Sequence, residues 1–178
     1  AALVRQYYMD GWYPSGNKSA GDAFTPSAAL IKASLMNSTR NSPGAYSIDA
    51  INNSGTQNAP SMGQGWGRIT LDDIFYFDGE TRKLFVVDET TGFSAAGQSH
   101  QYDISTGPST TEYLKIVLVW TDFYGEVGAN PILVNDLDMV VSAGGNTYLG
   151  NVFGSNARSA TGGSADRRNV HELSLIHI

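Results

Sequence analysis

Apolar residues recur at helical spacing in the first third of the chain and alternate with polar ones in the rest. In Ala1 to Tyr8, Leu3 and Tyr7 share one face and Val4 with Tyr8 flank it, which predicts the last turns of a helix. Asp10-Gly11 is its exit, and Pro14-Ser15-Gly16-Asn17 is turn chemistry. Thr25 reads as an N-cap with Pro26 at the first helical position. Ala28, Ile31 and Leu35 then form the inward stripe of a second helix, with Lys32 facing water. That helix should fade at Asn37-Ser38-Thr39.

From Arg40 to Met62 the chain is a polar loop rich in Asn, Ser and Gly, long for a compact domain. Gly63-Gln64-Gly65-Trp66-Gly67-Arg68 sets three glycines around one Trp. A short amphipathic helix should follow, with Ile69, Ile74 and Phe77 inward and Asp72-Asp73 near its positive end. Asp78-Gly79-Glu80 closes it.

From Arg82 the period changes to two, and β-branched and aromatic residues take over. Leu84 to Val87, Tyr113 to Thr121 and Leu137 to Val141 are strand candidates, with a weaker one at His100 to Ile104. Tyr113 to Trp120 is almost continuously apolar and should be a central strand, buried on both sides or at a sandwich core. The change of texture puts a boundary near Asp78 to Arg82, dividing the chain into residues 1–78 and 79–178.

Composition narrows the function classes. Hydrophobic residues make up 41% and aromatics 11%, enough for a packed core. With no cysteine there can be no disulfide, thiolate zinc site or cysteine nucleophile. The net charge is −6 and Lys and Arg never cluster beyond two neighbours, so the basic stripe that grips a phosphate backbone is missing. No apolar run approaches the roughly 20 residues that span a bilayer. The chain opens at Ala inside a helical pattern, which implies a missing N-terminus. Ser174-Leu175-Ile176-His177-Ile178 resembles the translation of a common sequencing adapter and is discounted as a natural strand end.

Ala1-Ala2-Leu3-Val4-Arg5 resembles the tail of the nucleophile helix of the subtilisin-like serine protease (subtilase) family. Thr25 to Ala33 resembles the family's next helix, and Gly63 to Ile69 the glycine-rich turn near the end of its catalytic domain. Val119-Trp120-Thr121-Asp122, Leu133-Val134-Asn135-Asp136-Leu137-Asp138 and Asp166-Arg167-Arg168-Asn169 are similar to subtilases with a C-terminal jelly-roll domain, the KP-43-like alkaline proteases. Each motif alone is modest, but their order and spacing together are specific.

The resemblance implies the C-terminal edge of an α/β catalytic domain over residues 1–78, then a truncated jelly-roll β-sandwich over 79–178. It implies a secreted endopeptidase acting on protein or peptide substrates, with its Asp, His and Ser lying upstream of Ala1. No catalytic residue is expected within this chain. His100, His171 and His177 are the only histidines, none stands in a family catalytic motif, and no Gly-x-Ser-x-Gly elbow occurs. The alternative is a non-catalytic β-sandwich module that binds carbohydrate or a protein.

Asp136-Leu137-Asp138 is the best site candidate. On a strand, residues i and i+2 point to one side, so both carboxylates would face together. Calcium takes six to eight oxygens and could draw on such a pair. The relatives' jelly-roll domains carry calcium, and the resemblance adds Asp166 with Asn169 in the matching loop. Where relatives tend to place an acid after Gly-Asn, this chain has Gly150-Asn151-Val152, which removes a ligand. The plainer reading of the pair is a solvated acidic strand start whose Asn135 and Asp136 satisfy turn amides. Trp66 reads as the anchor of a packed turn, and the Trp120 to Tyr124 aromatics as buried in the sandwich rather than facing a sugar.

Overall fold

A computed structural model describes residues 1–41, 60–61, 64–107, 113–155 and 157–177, the side chain of residue 177 excepted. Two helices, α1 (Ala2–Met9) and α2 (Ala28–Asn37), lead into small antiparallel sheets. Most of the polar loop expected between Arg40 and Met62 lies outside the described residues.

The helical unit is built on tyrosines. Val4, Tyr7 and Tyr8 of α1 are buried with Leu30 of α2 and Ile74. Leu3, expected on the inner face, is 59% exposed, because the helix is turned so that Val4 and Tyr8 form the i,i+4 pair that meets α2. The α2 stripe is displaced in the same way. Leu30 and Ser34 are buried, Ile31 and Leu35 half-buried and Ala28 exposed, while Lys32 faces water as expected. The Tyr8 and Ser34 hydroxyls, 3.1 Å apart, share a hydrogen bond across the helix pair.

Ser27, not Thr25, caps α2, its hydroxyl accepting from Leu30 N. Ser27 is itself clamped by Asp88, which accepts from its N at 2.7 Å and from its hydroxyl at 2.6 Å.

The segment expected as a strand at Leu84 to Val87 is extended but joins no ladder. Its place is taken by side-chain hydroxyls. Tyr13 Oη donates to Val86 O and accepts from Val86 N, and Tyr7 Oη does the same for Tyr76. Leu84 and Val86 therefore pack on the helical core. The helix expected after Ile69 is a single 3-10 turn, Leu71–Asp73, that buries Ile74 but leaves Ile69 and Phe77 exposed.

Strands β1 (Thr39–Arg40) and β2 (Arg68–Ile69) pair across the base of α2. Strand β3 (Tyr113–Val119) pairs antiparallel with β7 (His171–His177) along seven residues, from Tyr113 opposite His177 to Val119 opposite His171. Strands β4 (Val140–Ala143), β5 (Asn146–Phe153) and β6 (Ser159–Thr161) form a second antiparallel sheet in that order. Strand β4 begins three residues later than the expected Leu137, and residues 100–104 form no strand.

The expected central strand, β3, is only half-buried, because among the described residues β7 is its one strand neighbour and α2 packs on it. The interior strand is β7, where Glu172, Leu173, Ser174 and Ile176 are all buried. The discounted tail thus supplies strand residues. Leu175 N donates to Ser159 Oγ at 2.8 Å, and the Ser159 and Ser174 hydroxyls meet at 3.0 Å. These side-chain bonds join β7 to the second sheet where no backbone ladder does.

Candidate functional site

The acidic residues gather where β7 crosses β5. Glu172 stands on β7 opposite Leu118, and its carboxylate runs into the protein until only 1% of the residue is exposed. Glu172 Oε2 accepts from Met139 N at 2.5 Å, while Oε1 is buried with no partner. Gly150 on β5 makes room for it. A Cβ at residue 150 would stand 2.6 Å from Glu172 Cβ and closer still to Oε2. Burial, and then the nearby charges of Asp138, Asp166 and Asp136, push the Glu172 carboxyl up to about 7 against the pull of Met139 N.

The next residue, Asn151, adopts the left-handed conformation at φ 59°. That turns its amide inward, where Nδ2 donates to Asp166 Oδ2 at 2.6 Å and to His171 O at 2.8 Å. Its Oδ1 accepts from Leu173 N at 2.9 Å. Asp166 also accepts from Asn169 Nδ2 and Arg168 N. Burial works against its charge, but these donors together hold it below the ordinary carboxylate value.

Asp136 and Asp138 are exposed, in the stretch leading to β4. The three expected ligands therefore surround Glu172 electrostatically without converging. Among the described residues, no three His, Asp or Glu side chains lie close enough to share a metal ion. Sequence reasoning missed Glu172, which reads as an ordinary charge after His171. The available signal was the glycine at 150, facing it across the strands.

His171 lies on the opposite face of β7. Its Nδ1 is 3.3 Å from Lys32 Nζ, and the Trp66 ring meets it edge-on with centroids 5.4 Å apart. Trp66 also contacts Phe153, so this turn seats the helical unit on the sheets. Burial and then the Lys32 charge hold the His171 imidazole below its ordinary value, with Asp166 opposing. His100 meets the Phe93 ring at a tilt of 51°, with centroids 4.7 Å apart, and lies 4.0 Å from Glu89. Among the described residues neither histidine hydrogen-bonds a serine.

Of the Trp120 to Tyr124 aromatics expected to be buried, Trp120 is half-buried and the other two are exposed. Phe123 is 73% exposed and Tyr124 92%, because Asp122 accepts from Val134 N and Asn135 N and carries the chain away from the sheets.

Among known proteins, the chain is similar to three from Dictyostelium discoideum, each named a serine protease/ABC transporter B family protein. It is 31% identical to tagA over 80% of its length, 26% to tagD over 87% and 24% to tagB over 78%. The matched stretches make up 8%, 10% and 9% of those proteins, so the chain spans about a tenth of the curated relatives it matches. No protein-family model and no solved structure matches it. These similarities make the chain a distant relative of one segment of proteins named in part for proteolysis.

Proposed function

We propose that this chain is part of a secreted subtilisin-like serine endopeptidase, joining the C-terminal edge of the catalytic domain to a jelly-roll β-sandwich. The observation that carries the reading is the 31% identity over 80% of the chain to a protein named a serine protease. In the whole enzyme a serine attacks the peptide carbonyl, a histidine takes and returns its proton, and an acyl-enzyme forms and is hydrolysed. This chain contributes none of those groups. Its role is to pack behind the catalytic body through α1 and α2 and to hold the accessory sheets on it through Trp66 and Lys115.

The same reading includes a structural calcium ion held by Asp136 and Asp138, with Asp166 as a third carboxylate. What supports this is the concentration of carboxylate charge around Glu172; among the described residues the side chains do not converge, so the ion would have to draw them together. The ion would supply charge neutralisation, not chemistry.

The deciding experiment is expression of the intact reading frame beside this chain. The full protein should hydrolyse casein and be labelled by a serine-directed fluorophosphonate, and the isolated chain should do neither. Fluorophosphonate labelling of the isolated chain, or a full frame with no Gly-Thr-Ser-Met-Ala segment before Ala1, would overturn the reading.

A further inference from the structure

We propose that the loop from Asp122 to Asn135 is a docking surface for a protein partner whose contacting segment is apolar and basic. The loop is braced. Asp122 Oδ1 accepts from Phe123 N, Asn135 N and Asn135 Nδ2, and Oδ2 accepts from Val134 N. Trp120 Nε1 donates to Asn135 O at 3.0 Å, closing the base. The two arms touch higher up, where a Cβ on Gly125 would come within 3.0 Å of Ile132 Cγ1.

On this frame Phe123, Tyr124, Val127, Ile132 and Val134 all face solvent, with exposures from 56% to 106%. Scattered apolar residues on a surface need no explanation, but five exposed on one braced loop of 14 residues are a concentration of the kind that marks an interaction site. Because the brace holds them out beforehand, little ordering entropy is lost when a partner covers them.

Charge selects the partner. Between Lys115 and Arg158 there is no basic residue, while Asp122 and Glu126 on the loop itself carry negative charge. A second copy of this chain, at net charge −6, and an anionic lipid surface would both be repelled. A sugar needs flat rings flanked by hydrogen-bonding side chains, whereas three of the five residues are aliphatic. An apolar segment edged with Lys or Arg matches both the patch and its rim. This inference stands whether or not the protease reading does.

The test is calorimetric titration of the full chain with a short amphipathic Leu/Lys peptide, its Leu/Glu counterpart, maltooligosaccharide and neutral phosphatidylcholine vesicles. The Leu/Lys peptide should bind, more weakly as salt rises, and the Leu/Glu peptide should not. Tyr124→Ser with Val127→Ser should weaken binding roughly tenfold or more with no change in melting. Glu126→Lys should weaken it while leaving the apolar patch intact. The proposal fails if the Leu/Lys peptide does not bind, if the Leu/Glu peptide binds as well, or if the variants bind like the parent. Binding of sugar or vesicles alone also overturns it and reassigns the surface.

Discussion

Gly150 and Glu172 depend on each other. No side chain fits at residue 150 while the Glu172 carboxylate lies against it, so Gly150→Ala must displace a buried strand residue. The expected cost is about 1–3 kcal/mol of stability, the usual range for overpacking, read from urea unfolding. An unchanged midpoint would mean that Glu172 points elsewhere. Titration of the same carboxyl gives a second prediction. Its folded value of about 7 lies above the ordinary 4.5, so between them the folded chain keeps a proton that the unfolded chain has lost. The stability this contributes is complete below about pH 4.5 and is lost as pH rises through 7. With a chelator present, melting temperature should fall across that window, and Glu172→Gln should flatten the fall. Parallel curves for parent and variant would refute the buried carboxyl.

Among the elements, α2 depends most on contacts from outside itself. Its N-terminus is held by Asp88 through Ser27, and its C-terminus by Lys115 of β3, whose Nζ donates to Met36 O, Thr39 O and Thr39 Oγ1 at 2.9–3.0 Å. Burial pushes the Lys115 ammonium down to about 8, with the Asp73 carboxylate opposing. Lys115→Met keeps the packed stem and removes the ammonium, depriving Met36 O and Thr39 O of one donor each while Met36 O keeps the Thr39 hydroxyl. A loss of about 1–3 kcal/mol is expected, with faster amide exchange in the last turn of α2. Equal stability would show that desolvation of the ammonium offsets its hydrogen bonds. Both helices were legible in the sequence because Leu3 with Tyr7, Val4 with Tyr8, and Ala28, Ile31 and Leu35 recur at helical spacing. Their facing was less so, since an exposed Leu3 and a buried Ser34 reverse what hydrophobicity ranks. The extended run at Leu84 to Val87 misread as a strand because the Tyr13 hydroxyl, from the turn after distant α1, takes the place of a ladder at Val86. No local pattern records such a partner. The acidic pair at Asp136 and Asp138 could be read from spacing alone. Glu172 could not, because its burial follows from the register of β7 against β3 and the open space over Gly150.

Across the whole molecule, charge is unevenly placed. The stretch from residue 116 to residue 157, between Lys115 and Arg158, carries four carboxylates and no basic residue, and two of those four surround Glu172 together with Asp166. Without a counter-ion, each of these neighbours raises the cost of ionising Glu172 between the two sheets. Calcium binding there should therefore stabilise β4, β5 and β7 together rather than one loop. An ion present at a hundred times its dissociation constant adds about 2.7 kcal/mol, and for a chain this size that is a rise of roughly 5–10 °C in melting temperature. Chelation should reverse the rise, and magnesium should not reproduce it, because its demand for near-ideal octahedral geometry suits scattered carboxylates poorly. Asp138→Asn should abolish most of the calcium response while slightly stabilising the metal-free chain, since it removes a charge that opposes Glu172 ionisation. A structural residue unrelated to the ion could not give that pair of opposite effects. If calcium leaves the melting curve unmoved, the carboxylates form a solvated acidic edge, and the protonated Glu172 joins the two sheets together with the Ser159 and Asn151 hydrogen bonds.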